Sequence, residues 1–278
     1  MNLQKGGEKV KERNDIVKYH NDLNELTFQR FGQIDFDFFM VLCSRFKDSG
    51  DNKITISFDD FKKLSGYSTK NSEARFINSL QSMNQKQLLS TGLIRDGKKI
   101  KQFVLFIEFE IDPDERTITA EVNEKYKYIL NEVTRNFTRF ELQEFICLES
   151  KYSKTLYRLL KQFRTTGIYR VGLEEFKRLF GVSKGYSNRL ILDKIINPSV
   201  KALEKHFNNL ECKPMYERKP GRPIKGYEFT FTPEEVARIG TTAKEPSKKK
   251  PGNSFHNFEQ REYDDDFWKE LENRTRER

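Results

Sequence analysis

The 278-residue chain holds three histidines, His20, His206 and His256, each without a second ligand at the spacing that grips a metal ion. Cutting DNA with a tyrosine and a metal needs two histidines flanking one apolar residue, and that pattern is missing. The eleven tyrosines have no clustered arginine and histidine beside them, as a tyrosine recombinase would require. No Gly-x-x-x-x-Gly-Lys-Ser/Thr stretch is present to cradle phosphates. Glu108, Glu110 and Asp112 alternate along a strand and could chelate magnesium, but a solvated strand face accounts for the alternation more simply. Cys43, Cys147 and Cys212 are too scattered for a disulfide framework or a zinc site. The expectation is therefore no catalytic residue, no metal and no cofactor.

The chemistry that is present is cationic. Lys and Arg number 51 against 42 Asp and Glu, a net charge of +9. Residues 150–232 hold 18 basic and 7 acidic side chains, net +11, whereas 1–149 and 233–278 are each at −1. So local an excess points to a surface for a polyanion. No apolar run reaches the length of a membrane span and no apolar signal core opens the chain, so a cytoplasmic protein away from membranes is expected.

The elements that must position these charges are duplicated. ITISFDDFKKLSGYS at 54–68 aligns without a gap to YRVGLEEFKRLFGVS at 169–183, an offset of 115 with five of 15 positions identical. In each copy a β-favouring stretch leads into a short helix with two acids in its first turn. Phe61 and Leu64, like Phe176 and Leu179, fall on one buried face, and Gly66 or Gly181 ends the helix. A second amphipathic helix follows. In the first copy Asn71 or Ser72 can cap it, and Phe76, Ile77, Leu80 and Met83 form its stripe. In the second Ser187 or Asn188 can cap. There Leu192, Ile196, Val200, Leu203 and Phe207 point inward, with Lys194, Asn197, Lys201 and Lys205 opposite. Pro198 either kinks that helix or sits in the first turn of a new one capped by Asn197.

Each second helix is expected to run into a β-hairpin, the wing of a winged helix. The first spans 93–111 with Asp96-Gly97 as its turn, followed by a strand near 117–122; the second runs from Glu211 to Thr232 with a Pro/Gly-stiffened basic tip at 218–225. Helices at 34–48, 138–148 and 153–165 precede the repeats, with Thr138-x-x-Glu141 as a capping box. The fold class is α+β: a flexible 1–13, winged-helix domains at 14–135 and 136–236, and a mobile tail at 237–278.

VKYHNDLNEL (17–26), KQFVLFIEFEID (101–112), VNEKYKYILNEVTRNFTRFELQEF (122–145), SKTLYRLLKQFRTTG (153–167) and YEFTFTP (227–233) resemble the initiator replication proteins of theta-replicating, iteron-bearing bacterial plasmids. The resemblance covers roughly 14–235. It implies two winged-helix domains and binding to directly repeated iterons at a plasmid origin. It also implies duplex opening and recruitment of host replication initiator and helicase proteins. It further implies monomer–dimer exchange, with homodimers joined through the first domain repressing their own gene at an inverted repeat. The apolar run Phe103 to Ile107 suits a buried strand and could extend into that subunit interface.

Carried onto this chain, the resemblance puts the second domain's recognition element at Lys184 to Asn197, including Tyr186 and Ser187. Asn188, Arg189 and Lys194 are the base-edge candidates, since Arg reads guanine and Asn reads adenine. Lys201, Lys205, Arg218, Lys219, Arg222 and Lys225 would hold phosphates. The first-domain equivalents are Ser68, Thr69, Lys70, Asn71 and Arg75, with Lys98, Lys99 and Lys101 on its wing. A stand-alone transcriptional regulator with duplicated winged helices is the alternative.

Overall fold

Alternation of buried Val17 and Tyr19 with half-buried neighbours makes the first strand among the described residues, β1 (Ile16–His20), which a 3-10 turn (Asn21–Glu25) ends. The computed structural model describes residues 15–235 except 48, 69, 89–91, 97, 98, 132 and 184, and the backbone alone at 88, 92–96 and 99–102. The expectations for 1–13 and 237–278 lie outside these residues. There follow α1 (Gln33–Phe46), β2 (Lys53–Ser57), α2 (Phe58–Ser65), α3 (Glu73–Leu88), β3 (Gly92–Asp96), β4 (Lys99–Phe103), β5 (Phe106–Asp112) and β6 (Thr117–Val122). Then come β7 (Phe137–Glu141), α4 (Leu142–Ile146), α5 (Lys151–Gln162), β8 (Ile168–Gly172) and α6 (Leu173–Phe180). The last elements among the described residues are α7 (Asn188–Ile191), a π turn (Leu192–Ile196), α8 (Asn197–Leu203), β9 (Glu211–Tyr216) and β10 (Ile224–Thr230).

Two antiparallel three-stranded sheets have the same plan, β2-β6-β5 and β8-β10-β9. Each pairs a leading strand with the last strand of a hairpin, and a helix-turn-helix fills the chain between. This is a winged helix, twice. The duplication runs deeper than the aligned 15 residues: β2 and β8, and α2 and α6, begin and end 115 residues apart. Gly66 at φ 62° and Gly181 at φ 58° both take the left-handed conformation that closes a helix. Ser72 Oγ accepts the Arg75 N–H at 3.4 Å, and Ser187 Oγ accepts that of Leu190 at 3.3 Å, so serine caps both second helices.

Three expectations give way. Thr138 is not in a capping box: 137–141 is β7, paired antiparallel with β1, with Phe140 opposite Val17. The buried Thr138 hydroxyl donates to Asn21 and accepts from Asn24, partners 114 and more residues away that no local pattern announces. The segment 93–111 is not one hairpin. β3 and β4 pair alone with Asp96 opposite Lys99, whereas the hairpin matching β9–β10 is β5–β6. In β5 a bulge leaves Ile107 55% exposed, while Phe103, Leu105 and Phe106 are buried.

The third concerns Pro198. Pro198 does fall in the first turn of a helix, α8, but Asn197 does not cap it, since Ile196 and Asn197 both have α dihedrals. The Asn197 N–H instead donates to the Leu192 carbonyl, five residues back, in a π turn that widens the helix where the proline ring would meet the carbonyl four residues earlier.

One buried cluster runs through both winged helices, and α5 joins them. Two α5 cations are fully buried. Lys154 Nζ donates to Asp37 of α1 at 2.5 Å and to the carbonyls of Phe145 and Ile146 at 2.7 and 3.2 Å. Burial works against charge on both partners, pushing Asp37 up to about 7 and Lys154 down. Arg158 donates to Asn24 at 2.9 Å and to the carbonyls of Leu23 and Leu26, and lies over the Phe28 ring. Phe145 and Tyr157 are likewise buried.

Candidate nucleic-acid interface

The second recognition helix runs from Asn188 to Leu203 and has two unlike faces. Ile191, Ile195, Ile196, Ser199 and Leu203 are buried; Leu192 and Val200 are half-buried against the same core. Arg189, Lys194, Asn197 and Lys201 are exposed on the other side, as the periodicity predicts, and Lys205 is exposed in the turn beyond the helix end. Ser187, spent on the cap, is exposed, as is Tyr186 beside it, while Asn188 is half-buried. Lys184 lies outside the described residues.

Arg189 is 91% exposed, and its Nε lies 3.6 Å from the Asp193 carboxylate one turn on. A four-residue Arg-to-Asp spacing carries that signal, which the sequence reading passed over. Asp193 orients the guanidinium without burying it. Lys194, Lys201 and Lys205 form no ion pair among the described residues. Their charge is available to an external anion.

The wing brings four more cations, Arg218, Lys219, Arg222 and Lys225, all exposed. Its tip is closed by the Glu217 N–H donating to the Pro223 carbonyl at 2.9 Å and the Arg222 N–H to that of Lys219 at 3.0 Å. Gly221 and Arg222 both have positive φ, 77° and 43°. The Arg222 guanidinium lies 5.1 Å from the Tyr216 ring centre, a partner not anticipated from the sequence. Lys219 binds Glu217 at 2.7 Å, and that hydrogen bond holds its pKa above the usual lysine value. Arg218 and Lys225 have no ion-pair partner among the described residues.

In the first copy Lys70 and Arg75 are exposed, Asn71 is half-buried and Ser68 Oγ accepts the Lys70 N–H at 3.3 Å. Thr69 and Lys98 lie outside the described residues; Lys99 and Lys101 belong to β4, apart from the wing that matches the second domain's. The matching tip, residues 112–116, is acidic. Asp112 accepts the N–H groups of Asp114 and Glu115, both at 2.9 Å, and Arg116 is engaged by Glu73 and Asp59. Lys86 of α3 is bound to Asp35 at 2.7 Å.

Glu108 faces Lys53, and no cluster among the described residues could hold a metal ion. All three cysteines are free thiols. Among the described residues no helix is long and apolar enough to cross a membrane.

A tandem winged-helix protein with its exposed cations gathered on the second copy is the class that fold and surface define. Comparison with known proteins narrows it. A family described as "Initiator Replication protein, WH1" matches residues 16–161, and one described as "Initiator Rep protein, WH2" matches 172–231. A "Probable replication protein rep" of Bifidobacterium longum (strain NCC 2705) is 34% identical over 227 residues, covering 80% of this chain and 74% of that protein. The crystal structure of the Pi initiator protein in complex with iteron DNA superposes with a TM-score of 0.60 at 15% identity, covering 81% of this chain and all of the other. The chain belongs to the initiator replication protein family.

Proposed function

We propose that this initiator grips directly repeated iteron DNA at a plasmid origin, with the second winged helix supplying most of the hold. The observation that carries this reading is the set of exposed residues Lys194, Asn197 and Lys201 on the helix, Lys205 in the turn after it, and Arg218, Arg222 and Lys225 on the wing. A winged helix sets its second helix in the major groove and its wing against the backbone. Arg189, Asn188 and Lys194, at the helix's leading end, then address base edges, and the remaining cations address phosphates. Lys70 and Arg75 of the first copy add a weaker contact. Family membership speaks for an initiator over a stand-alone regulator, and the iteron complex of the structurally similar Pi protein supports the choice of DNA.

On this reading the bound protein helps open the duplex and recruits host initiator and helicase proteins in the cytoplasm, without cutting the strands itself. Homodimers form through the first domain in exchange with monomers. β5, an edge strand of its sheet with Ile107 exposed, suits pairing with a second copy. Binding of the purified chain to the repeats around its own gene, against scrambled duplex at physiological salt, tests the proposal. Equal affinity for both would overturn it. A supercoiled origin plasmid incubated with the protein and magnesium should stay supercoiled; relaxed product would overturn the non-catalytic part.

A further inference from the structure

The second recognition helix carries one large apolar side chain on its polar face. Leu190 is 40% exposed, with exposed Arg189, Asp193, Lys194 and Asn197 around and beyond it on the helix. Its place is fixed: the Ser187 cap takes the Leu190 N–H, which sets the residue in the helix's first turn. The matching position of the first copy, 115 residues earlier, is Arg75, also exposed, so this position points outward in both domains. A lone exposed leucine is common on any surface. This one stands at the leading end of the helix, the part of a helix-turn-helix that meets base edges.

The major groove offers such a side chain one apolar feature, the C5 methyl of thymine; every other group on that edge of the four bases is a hydrogen-bond donor or acceptor, or a bare ring C–H. Leucine can neither donate nor accept with its side chain, so it gains nothing from a guanine or adenine edge. Resting on the reading of this face as the one that contacts DNA, we infer that Leu190 selects thymine by packing against its methyl group, beside the base that Arg189 addresses. One contact at this helix end is then apolar and insensitive to salt, in contrast to the lysine contacts farther along.

The test uses the full chain and a duplex carrying the repeat footprinted around its gene, with each thymine replaced in turn by deoxyuridine, which removes only the methyl. Wild type should bind at least one substituted duplex roughly fourfold more weakly, the effect of one buried methyl group. Leu190→Ala should bind the thymine and uracil forms of that duplex equally, with its salt dependence and melting temperature unchanged. If wild type prefers the repeat to scrambled DNA but no deoxyuridine position weakens it, or the weakening persists in Leu190→Ala, the thymine assignment fails and iteron binding stands. If wild type shows no preference for the repeat, the proposed function fails and this inference with it.

Discussion

Set over one another at the offset of 115, the two second helices agree on their inner positions and part company on their outer ones. Phe76 and Ile191, then Leu80 and Ile195, are buried partners in the two copies. At the outward positions the first copy has Ala74, Arg75, Asn78 and Ser79 where the second has Arg189, Leu190, Asp193 and Lys194. The wings diverge more: 112–116 is acidic and internally bonded, whereas 217–223 is basic and stiffened by two prolines and a glycine. Packing therefore holds a scaffold constant while its exposed positions drift to different work. The first copy's cations Arg116 and Lys86 are held by its own acids, whereas the second copy's Lys194, Lys201 and Lys205 form no ion pair among the described residues.

The largest effect should come from the helix that unites the copies. Lys154→Met strands Asp37 in the core and should cost about 3–5 kcal/mol in urea unfolding at pH 8. Burial already holds Asp37 up at about 7 with Lys154 pulling it down, and losing the ammonium raises it further, so the loss should shrink as the pH falls toward about 7, where the stranded carboxyl takes up its proton first, and stay level below that. A loss confined to one of the two domains would break the view that α5 serves both.

Next, Arg189→Ala should lose roughly 1–3 kcal/mol of discrimination between repeat and scrambled DNA, while Ala74→Arg in the first copy should not restore it. At the turns, Gly181→Ala should cost about 1–2 kcal/mol, the ordinary cost of a left-handed non-glycine residue. Gly66→Ala should cost less. The added methyl at 181 meets the Gln29 backbone at 3.0 Å, with two further Gln29 atoms at 3.4 Å, but at 66 it meets a single side-chain methyl, Cγ2 of Ile146, at 3.0 Å. Equal melting temperatures for the two variants would remove this asymmetry. The smallest change is expected from Arg222→Ala, which should weaken all duplexes alike and lower the slope of log affinity against log salt by about one. A loss of sequence preference there would reverse the roles given to wing and helix.

Much of this comparison is legible in the residues themselves, because helix faces, glycine stops and serine caps are read within a few positions. Gly66, Gly181, Ser187 and the Lys194–Lys201 face are of that kind. What escapes is non-local. β1 finds β7 across about 120 residues, and Thr138 looks like a cap until its buried partners are seen. The first wing is masked by a nearer hairpin: the Asp96-Gly97 signal marks the extra pair β3–β4, and the true counterpart β5–β6 turns through Pro113 to Arg116 with no such dipeptide. Asp193, Tyr216 and Leu190 go unnoticed because an acid, a tyrosine and a leucine carry no positive charge, and their places beside Arg189 and Arg222 are seen only once the chain is folded.

The π turn before Pro198 shifts the bookkeeping of the whole second copy. Ahead of it the buried positions match at 115, and beyond it Met83 falls with Ser199 and Gln87 with Leu203, an offset of 116. One surplus residue has been swallowed in mid-helix, where an ordinary insertion would swing everything downstream by about 100° and bury the lysines. The helix is thereby split into two separately phased halves. A duplicated domain gains exposed lysines at the trailing end of this helix without disturbing the alignment of the exposed residues at its front.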